Sequence, residues 1–196
     1  MPFPRSRPPH QPNLIMRPAG PSLDGLRAFI DTIPDNSTII EIGSYAGESA
    51  REFLRKASTL VCVDFWTPYI EINGPHVDGI ANPTPAETAF DALLRQHPDR
   101  IRKLKLPSTT AAFLCPFFAA DVIYIDAGHQ AEQVAADIAA WLPKLRFPGI
   151  LAGHDYDPAR FPGVSKAVSA AFSHGVRLFA DTTWAVRFDS HGVIQR

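Results

Sequence analysis

Cysteine is scarce in this sequence, with two in 196 residues: Cys62 in VCVD and Cys115 in FLCPF. Neither belongs to a closely spaced pair of metal or redox type. That excludes a disulfide-stapled scaffold and leaves buried, reduced thiols in a reducing compartment as the expectation. Excess charge is missing too. The 19 basic and 20 acidic residues leave a net charge of -1, so no long-range field draws in nucleic acid or an anionic membrane surface. No apolar run approaches the length of a membrane span, and the start MPFPRSRPPHQP lacks the apolar stretch of a secretory signal. A cytoplasmic protein with a small-molecule partner is expected, with association with a second copy left open. The length suits one domain with a single core, and no internal repeat is visible.

Proline is plentiful at the start. Residues 1–21 hold seven prolines and three arginines with little apolar periodicity, which reads as an extended arm ahead of a domain over 22–196. From Ser22, read as an N-cap, Leu23, Leu26, Ile30 and Ile33 recur at helical spacing. STIIEIG then reads as a strand, GESAREFLRKA as a helix and TLVCVD as a second strand ending on Asp64, which is a βαβ unit. The segment from Phe65 to Pro85 shows no clear period and reads as a long loop, a type that is usually functional or disordered. Its Trp66, Tyr69, Ile72 and His76 are candidate walls of an acceptor pocket.

Beyond this loop the alternation resumes. Helices are predicted at 86–96, 108–118, 130–145 and 164–173, with strands at 101–106, 121–126 and 149–154. Two close strands, 176–180 and 184–188, can be joined across Asp181-Thr182-Thr183 only as an antiparallel pair. The pattern implies an α/β fold of Rossmann-like three-layer form. Its seven-stranded, mostly parallel sheet ends in a C-terminal antiparallel hairpin. The basic run Arg100, Arg102, Lys103 and Lys105 alternates with apolar residues and reads as a charged edge strand.

Two regions carry chemistry. In the turn Glu41-Ile42-Gly43-Ser44-Tyr45-Ala46-Gly47, glycines let the backbone pass close to a ligand. Tyr45 stands where a dinucleotide fingerprint needs glycine, and Glu41 would repel a pyrophosphate. That disfavours an NAD-type oxidoreductase. Asp64, at a strand tip, is placed to accept both hydroxyls of a ribose. The second region, DVIYIDAGHQAEQVAADIAAWLPKLRFPGILAGHDY, brings Asp126, His129, His154 and Asp155 to the ends of two adjacent parallel strands.

EIGSYAGES, VDFW and this long segment resemble the motifs of class I S-adenosylmethionine-dependent methyltransferases, over nearly everything from Ser22 to Phe188. The subfamily suggested includes bacterial small-molecule O-methyltransferases. The resemblance implies S-adenosyl-L-methionine as cofactor. Glu41, Gly43, Ser44 and Gly47 would lie on its methionine part, with Asp126 also at the cofactor. Asp64 would hold the ribose, and Phe65 or Trp66 the adenine face. Many relatives carry an acidic residue after the third strand for the adenine amino group. Here Leu106-Pro107-Ser108 stands instead, with Ser108 as the substitute.

Methyl transfer to oxygen requires a general base, or a divalent metal that acidifies the acceptor. By the resemblance, Asp126, His154 and Asp155 would be metal ligands and His129 the base. A histidine among two carboxylates moves the metal preference from magnesium toward manganese, zinc or iron. A metal-free alternative uses His129 or His154 as base, with Asp126 or Asp155 orienting the imidazole. Two plainer readings stand beside these. In one, Asp126 caps the next helix while His154 and Asp155 shape a loop; in the other, the chain is a non-catalytic module that binds cofactor or partner.

Overall fold

The computed structural model describes residues 20–73, 76–117, 119–189 and 194–195; most of the proline-rich arm lies outside them. The first helix, α1 (Pro21–Ile30), starts two residues earlier than the sequence suggests. Gly20 occupies the cap position and no side chain caps it, so Ser22 is not the N-cap. Proline in the first turn is pre-set for helix and lacks an N–H that would have needed a partner.

The expected alternation follows: β1 (Ser37–Ile42), α2 (Glu48–Phe53) and β2 (Ala57–Asp64). Next comes the main departure from the sequence reading. The predicted loop contains an antiparallel hairpin of β3 (Tyr69–Asn73) and β4 (His76–Ile80), paired from Tyr69–Ile80 to Asn73–His76. Its alternating YIEIN is too short to register against the surrounding prolines and glycines. Ile72 and His76 fall on these two strands.

The remaining elements are α3 (Thr84–Gln96), β5 (Ile101–Lys105), α4 (Ser108–Leu114), β6 (Ala120–Ile125), α5 (Ala131–Trp141), β7 (Leu145–Gly153), α6 (Pro162–Ala171), β8 (Arg177–Leu178), β9 (Trp184–Phe188) and β10 (Ile194–Gln195). Helices α2, α4 and α5 are shorter than their sequence patterns, and a 3-10 turn at Leu142–Lys144 closes α5 around Pro143.

The main sheet runs β10-β9-β7-β6-β1-β2-β5. β1 pairs in parallel with β2 and β6, β6 with β7, and β2 with β5, while β9 is antiparallel to β7. β8 and β10 share the outer edge of β9, against Trp184–Ala185 and Arg187–Phe188 respectively. Of the expected antiparallel pair, β9 spans the predicted 184–188, while β8 is shorter than the predicted 176–180.

Alternation along β1 explains the two core layers. Ile39 packs with Leu26, Phe29 and Phe53 under α1 and α2, whereas Ile40 and Ile42 pack with Val134, Ile138 and Val168 under α5 and α6. Both faces are covered, as a parallel sheet requires.

At the other edge, Lys103 binds Glu87 and Asp91 of α3, Lys105 binds Glu87, and Arg100 donates to the carbonyls of Leu54 and Ala57. The basic run is thus a charged edge strand. Cys62 is buried and Cys115 half-buried, both unpaired thiols. No helix among the described residues is long and apolar enough to cross a membrane.

Candidate functional site

The carboxyl ends of β2, β1, β6 and β7 lie side by side. The Gly43 amide bonds Val63 O, the Asp126 amide bonds Ile42 O, and the His154 amide bonds Ile125 O at 2.8, 2.7 and 3.1 Å. A cleft of about 830 Å³ opens above these ends, within the size range of small-molecule sites.

Gly43 makes the strand ends close up. Its φ is +89°, and a Cβ there would sit 1.9 Å from the carbonyl oxygen of Asp126. The glycine therefore serves a backbone approach inside the protein, from the β1 turn to the end of β6. Ser44 and Tyr45 continue the turn into the cleft wall, but Glu41 and Gly47 do not line it. Glu41 is wholly buried, with the Cys62 thiol donating to its Oε2 at 3.6 Å. Burial first, and then the Glu41 charge, push the Cys62 thiol up, which keeps it unreactive.

Asp64 receives the Tyr45 amide on Oδ2 at 2.9 Å and the Trp66 amide on Oδ1 at 3.0 Å. Burial pushes its carboxyl up, while these amides hold it back. The Phe65 amide adds a third backbone contact to this carboxylate. Trp66 lines the cleft but is 5% exposed, and its indole N–H donates to Tyr45 O at 2.8 Å. Phe65, exposed at the rim and 6.2 Å from the Tyr69 ring, is the more available aromatic.

At the other end of the cleft the four expected polar residues meet. His129 precedes α5 and Phe161 precedes α6; their rings stack at 4.3 Å between centroids. His129 Nε2 lies 3.0 Å from Asp155 Oδ2. His154 Nδ1 lies 3.0 Å from Asp155 Oδ1 and 3.7 Å from Asp126 Oδ1. Burial opposes ionisation of Asp155, yet the hydrogen bonds from His129 and His154, with their charges, hold its carboxyl well below the usual carboxylate range. One ligand atom each from Asp126, His154 and Asp155 lies within 4.8 Å of the others, a donor set that fits a divalent ion.

Sequence reasoning missed the far side of His154. Its Nε2 faces Thr182 Oγ1 at 3.5 Å and Asp181 Oδ2 at 3.8 Å. Asp181 is buried and bound by the Thr183 amide and hydroxyl. These residues read only as a hairpin turn, because nothing local ties them to a histidine 27 positions earlier. Backbone strain was equally invisible: Tyr45, Trp66, Asp155 and Thr182 all have φ between +42° and +69°, and all four line the cleft. Left-handed non-glycine residues are costly and gather at functional sites.

The cleft is acidic. Glu48, Asp64, Asp126, Asp137, Asp155, Asp157 and Asp181 line it, against one arginine, Arg160. Such a wall opposes a pyrophosphate and suits a ligand with a positive centre.

The family described as a methyltransferase domain matches residues 40–156, from the β1 strand to the loop after His154 and Asp155. No curated protein matches the sequence. Among solved structures, a protein from Corynebacterium glutamicum is similar at a TM-score of 0.62 and 18% identity, covering 91% of this chain and 84% of that one. The cofactor-bound Rv0187 from MTB is similar at 0.58 and 16%, covering 86% and 80%. A putative rRNA-methylase from Clostridium thermocellum is similar at 0.55 and 12%, covering 76% and 80%. These likenesses show the fold, and the family match covers more than half of the sequence with the strand ends that build the cleft. The chain belongs to the methyltransferase domain family and is a class I S-adenosylmethionine-dependent methyltransferase.

Proposed function

We propose that the enzyme methylates an oxygen of a small-molecule acceptor, with His129 as the base and Asp155 as the residue that orients it. The observation that carries this reading is the 3.0 Å His129–Asp155 contact in the wall of the same cleft that holds Asp64.

The residues fit the cofactor. The Asp64 carboxylate, held at the strand tip by backbone amides, suits the vicinal hydroxyls of a ribose. The acidic wall suits a sulfonium, Ser44 lies beside the β1 turn, and Phe65 offers a ring for the base. When bound, S-adenosylmethionine supplies an electrophilic methyl group for in-line displacement.

The chain's own task is to align the acceptor and take its proton. With Nε2–H donated to Asp155, Nδ1 of His129 carries the lone pair that receives a hydroxyl proton. Phe161 fixes the ring plane, and the Asp155 carboxylate balances the charge that forms. His154 has carboxylates near both nitrogens, Asp155 and Asp126 at Nδ1 and Asp181 at Nε2.

A second reading rests on the convergence of Asp126, His154 and Asp155. They would hold a divalent ion that acidifies the acceptor hydroxyl, with two oxygens and one imidazole favouring manganese, zinc or iron over magnesium. Residues 22–196 act as one catalytic domain, preceded by the proline-rich arm. The acidic cleft supports a neutral acceptor over nucleic acid.

Incubation with methyl-labelled S-adenosylmethionine and panels of phenols, sugars and amines tests the reading. Label on oxygen is expected; label on amines alone would overturn it.

A further inference from the structure

Arg160 is the one arginine or lysine among the residues that line the cleft, and the chemistry above gives it no task. It sits in the turn that leads into α6. Asp157 Oδ1 accepts the amides of Ala159 and Arg160 at 2.9 and 3.1 Å, and the Phe161 amide donates to Asp157 O at 2.7 Å. The backbone that presents Arg160 is thus held by its own aspartate turn. The guanidinium lies over the Phe161 ring, 4.9 Å from its carbon to the ring centroid. The same ring stacks on His129 at 4.3 Å. The cation therefore stands no farther from the proposed base than these two steps together.

Elsewhere in the fold, arginines near acids pair with them: Arg27 with Glu52, Arg55 with Asp31 and Arg146 with Asp121. Among the described residues no carboxylate pairs with the Arg160 guanidinium, although Asp157 is its near neighbour in sequence and the ring face of Phe161 is what it touches. Stacking on a ring leaves the N–H edge of the fork open, and that edge matches a carboxylate. Charge restricts the partner further. Asp126, Asp155, Asp157 and Asp181 line the same cleft, so a ligand of net negative charge is opposed over most of the wall. A molecule with one carboxylate for Arg160 and one positive group for the acids satisfies both and is neutral overall.

We propose that Arg160 binds a carboxylate of the acceptor, and that the acceptor is a hydroxylated amino acid whose ammonium group faces the acidic wall while its hydroxyl reaches His129. This rests on the placement of the acceptor hydroxyl at His129. The methyl group passes from the sulfonium to the hydroxyl oxygen and the hydroxyl proton goes to His129, so Arg160 takes no part in bond making. It determines which acceptor is held and in which direction. The short path from Arg160 over Phe161 to His129 suits a body of amino-acid size between carboxylate and hydroxyl.

Methyl-labelled S-adenosylmethionine and matched acceptors test the assignment: L-tyrosine beside its methyl ester and tyramine, and L-serine beside its methyl ester and ethanolamine. The wild type is expected to label the oxygen of at least one of the two amino acids with a kcat/KM at least about tenfold above its ester and its amine. Arg160→Gln is expected to lose that preference through KM, with affinity for S-adenosylhomocysteine and the melting temperature unchanged. Arg160→Lys, which keeps the charge without the fork, is expected to fall between the two. A purely structural role would lower amino acid, ester and amine alike and leave their ratios unchanged. Ester and amine labelled as readily as the amino acid, or an unchanged preference in Arg160→Gln, overturns this inference and leaves His129 as the base. No label on any of these oxygens also overturns it, and labelling of other phenols or sugars then keeps the reading beneath it standing. Label on nitrogen alone overturns both.

Discussion

His129 and Asp155 come from different strand ends and meet with Nε2 and Oδ2 3.0 Å apart, the histidine stacked on Phe161 and the aspartate held at a φ of +62°. Such a pair fixes one tautomer and one ring orientation, which a base needs before any acceptor arrives. His129→Gln should therefore lower kcat by about 10²- to 10⁴-fold. Affinity for S-adenosylhomocysteine should stay within about twofold, as His129 lies away from Asp64. The acid limb of the kcat/KM profile should vanish with it. A chain that only binds cofactor would have no activity to lose.

The Asp155 carboxyl is held low in the folded protein, so its contribution to stability has a definite pH window. It is complete above the unfolded carboxylate value of about 4 and is lost as pH falls from there toward the folded value. Denaturant titrations of the wild type and Asp155→Asn should show a stability difference that shrinks below about pH 4. A difference that grows on acidification would contradict the assignment.

Gly43→Ala would place a methyl group 1.9 Å from the Asp126 carbonyl oxygen at a φ of +89°. The strand ends of β1 and β6 would have to part, at a cost of at least about 2 kcal/mol. A thermal melt should fall by roughly 4 to 8 °C, and cofactor binding should weaken in parallel. Gly47→Ala, also at positive φ, meets the flexible side chains of Leu93 and Phe90 instead, so its effect on the cleft should be smaller.

If the Asp126, His154 and Asp155 set holds an ion, manganese or zinc should raise the melting temperature of the wild type more than magnesium does. The shift should disappear in His154→Gln. Equal responses to all three ions, or none, would leave His129 to act without metal assistance.

Much of this site was legible before the fold. Asp126, His129, His154 and Asp155 announced themselves because polar residues directly after buried apolar strands must lie at strand ends, and parallel strands put their ends together. Asp64 followed by the same reasoning. Glu41 misled, because in a strand the neighbouring residue faces the opposite layer: Ile40 and Ile42 pack under α5 and α6, which turns Glu41 toward Cys62 and away from the cleft. Ser108 lines the cleft with its hydroxyl donated to Asp137 Oδ1 at 2.5 Å, and Asp137 did carry a signal, a carboxylate at core-facing helical spacing from Val134 and Trp141. The hairpin of β3 and β4 and the Asp181–Thr182 side of His154 depend on long-range packing that no local period encodes.

The central claim is that the Asp64 end of the cleft holds the nucleoside of S-adenosylmethionine, and calorimetric titration with S-adenosylhomocysteine tests it most directly. The wild type should bind one equivalent. Asp64→Ala, which removes both ribose acceptors and frees the Tyr45 and Trp66 amides, should bind at least about tenfold more weakly. No binding by the wild type, or equal binding by the two proteins, would contradict the account.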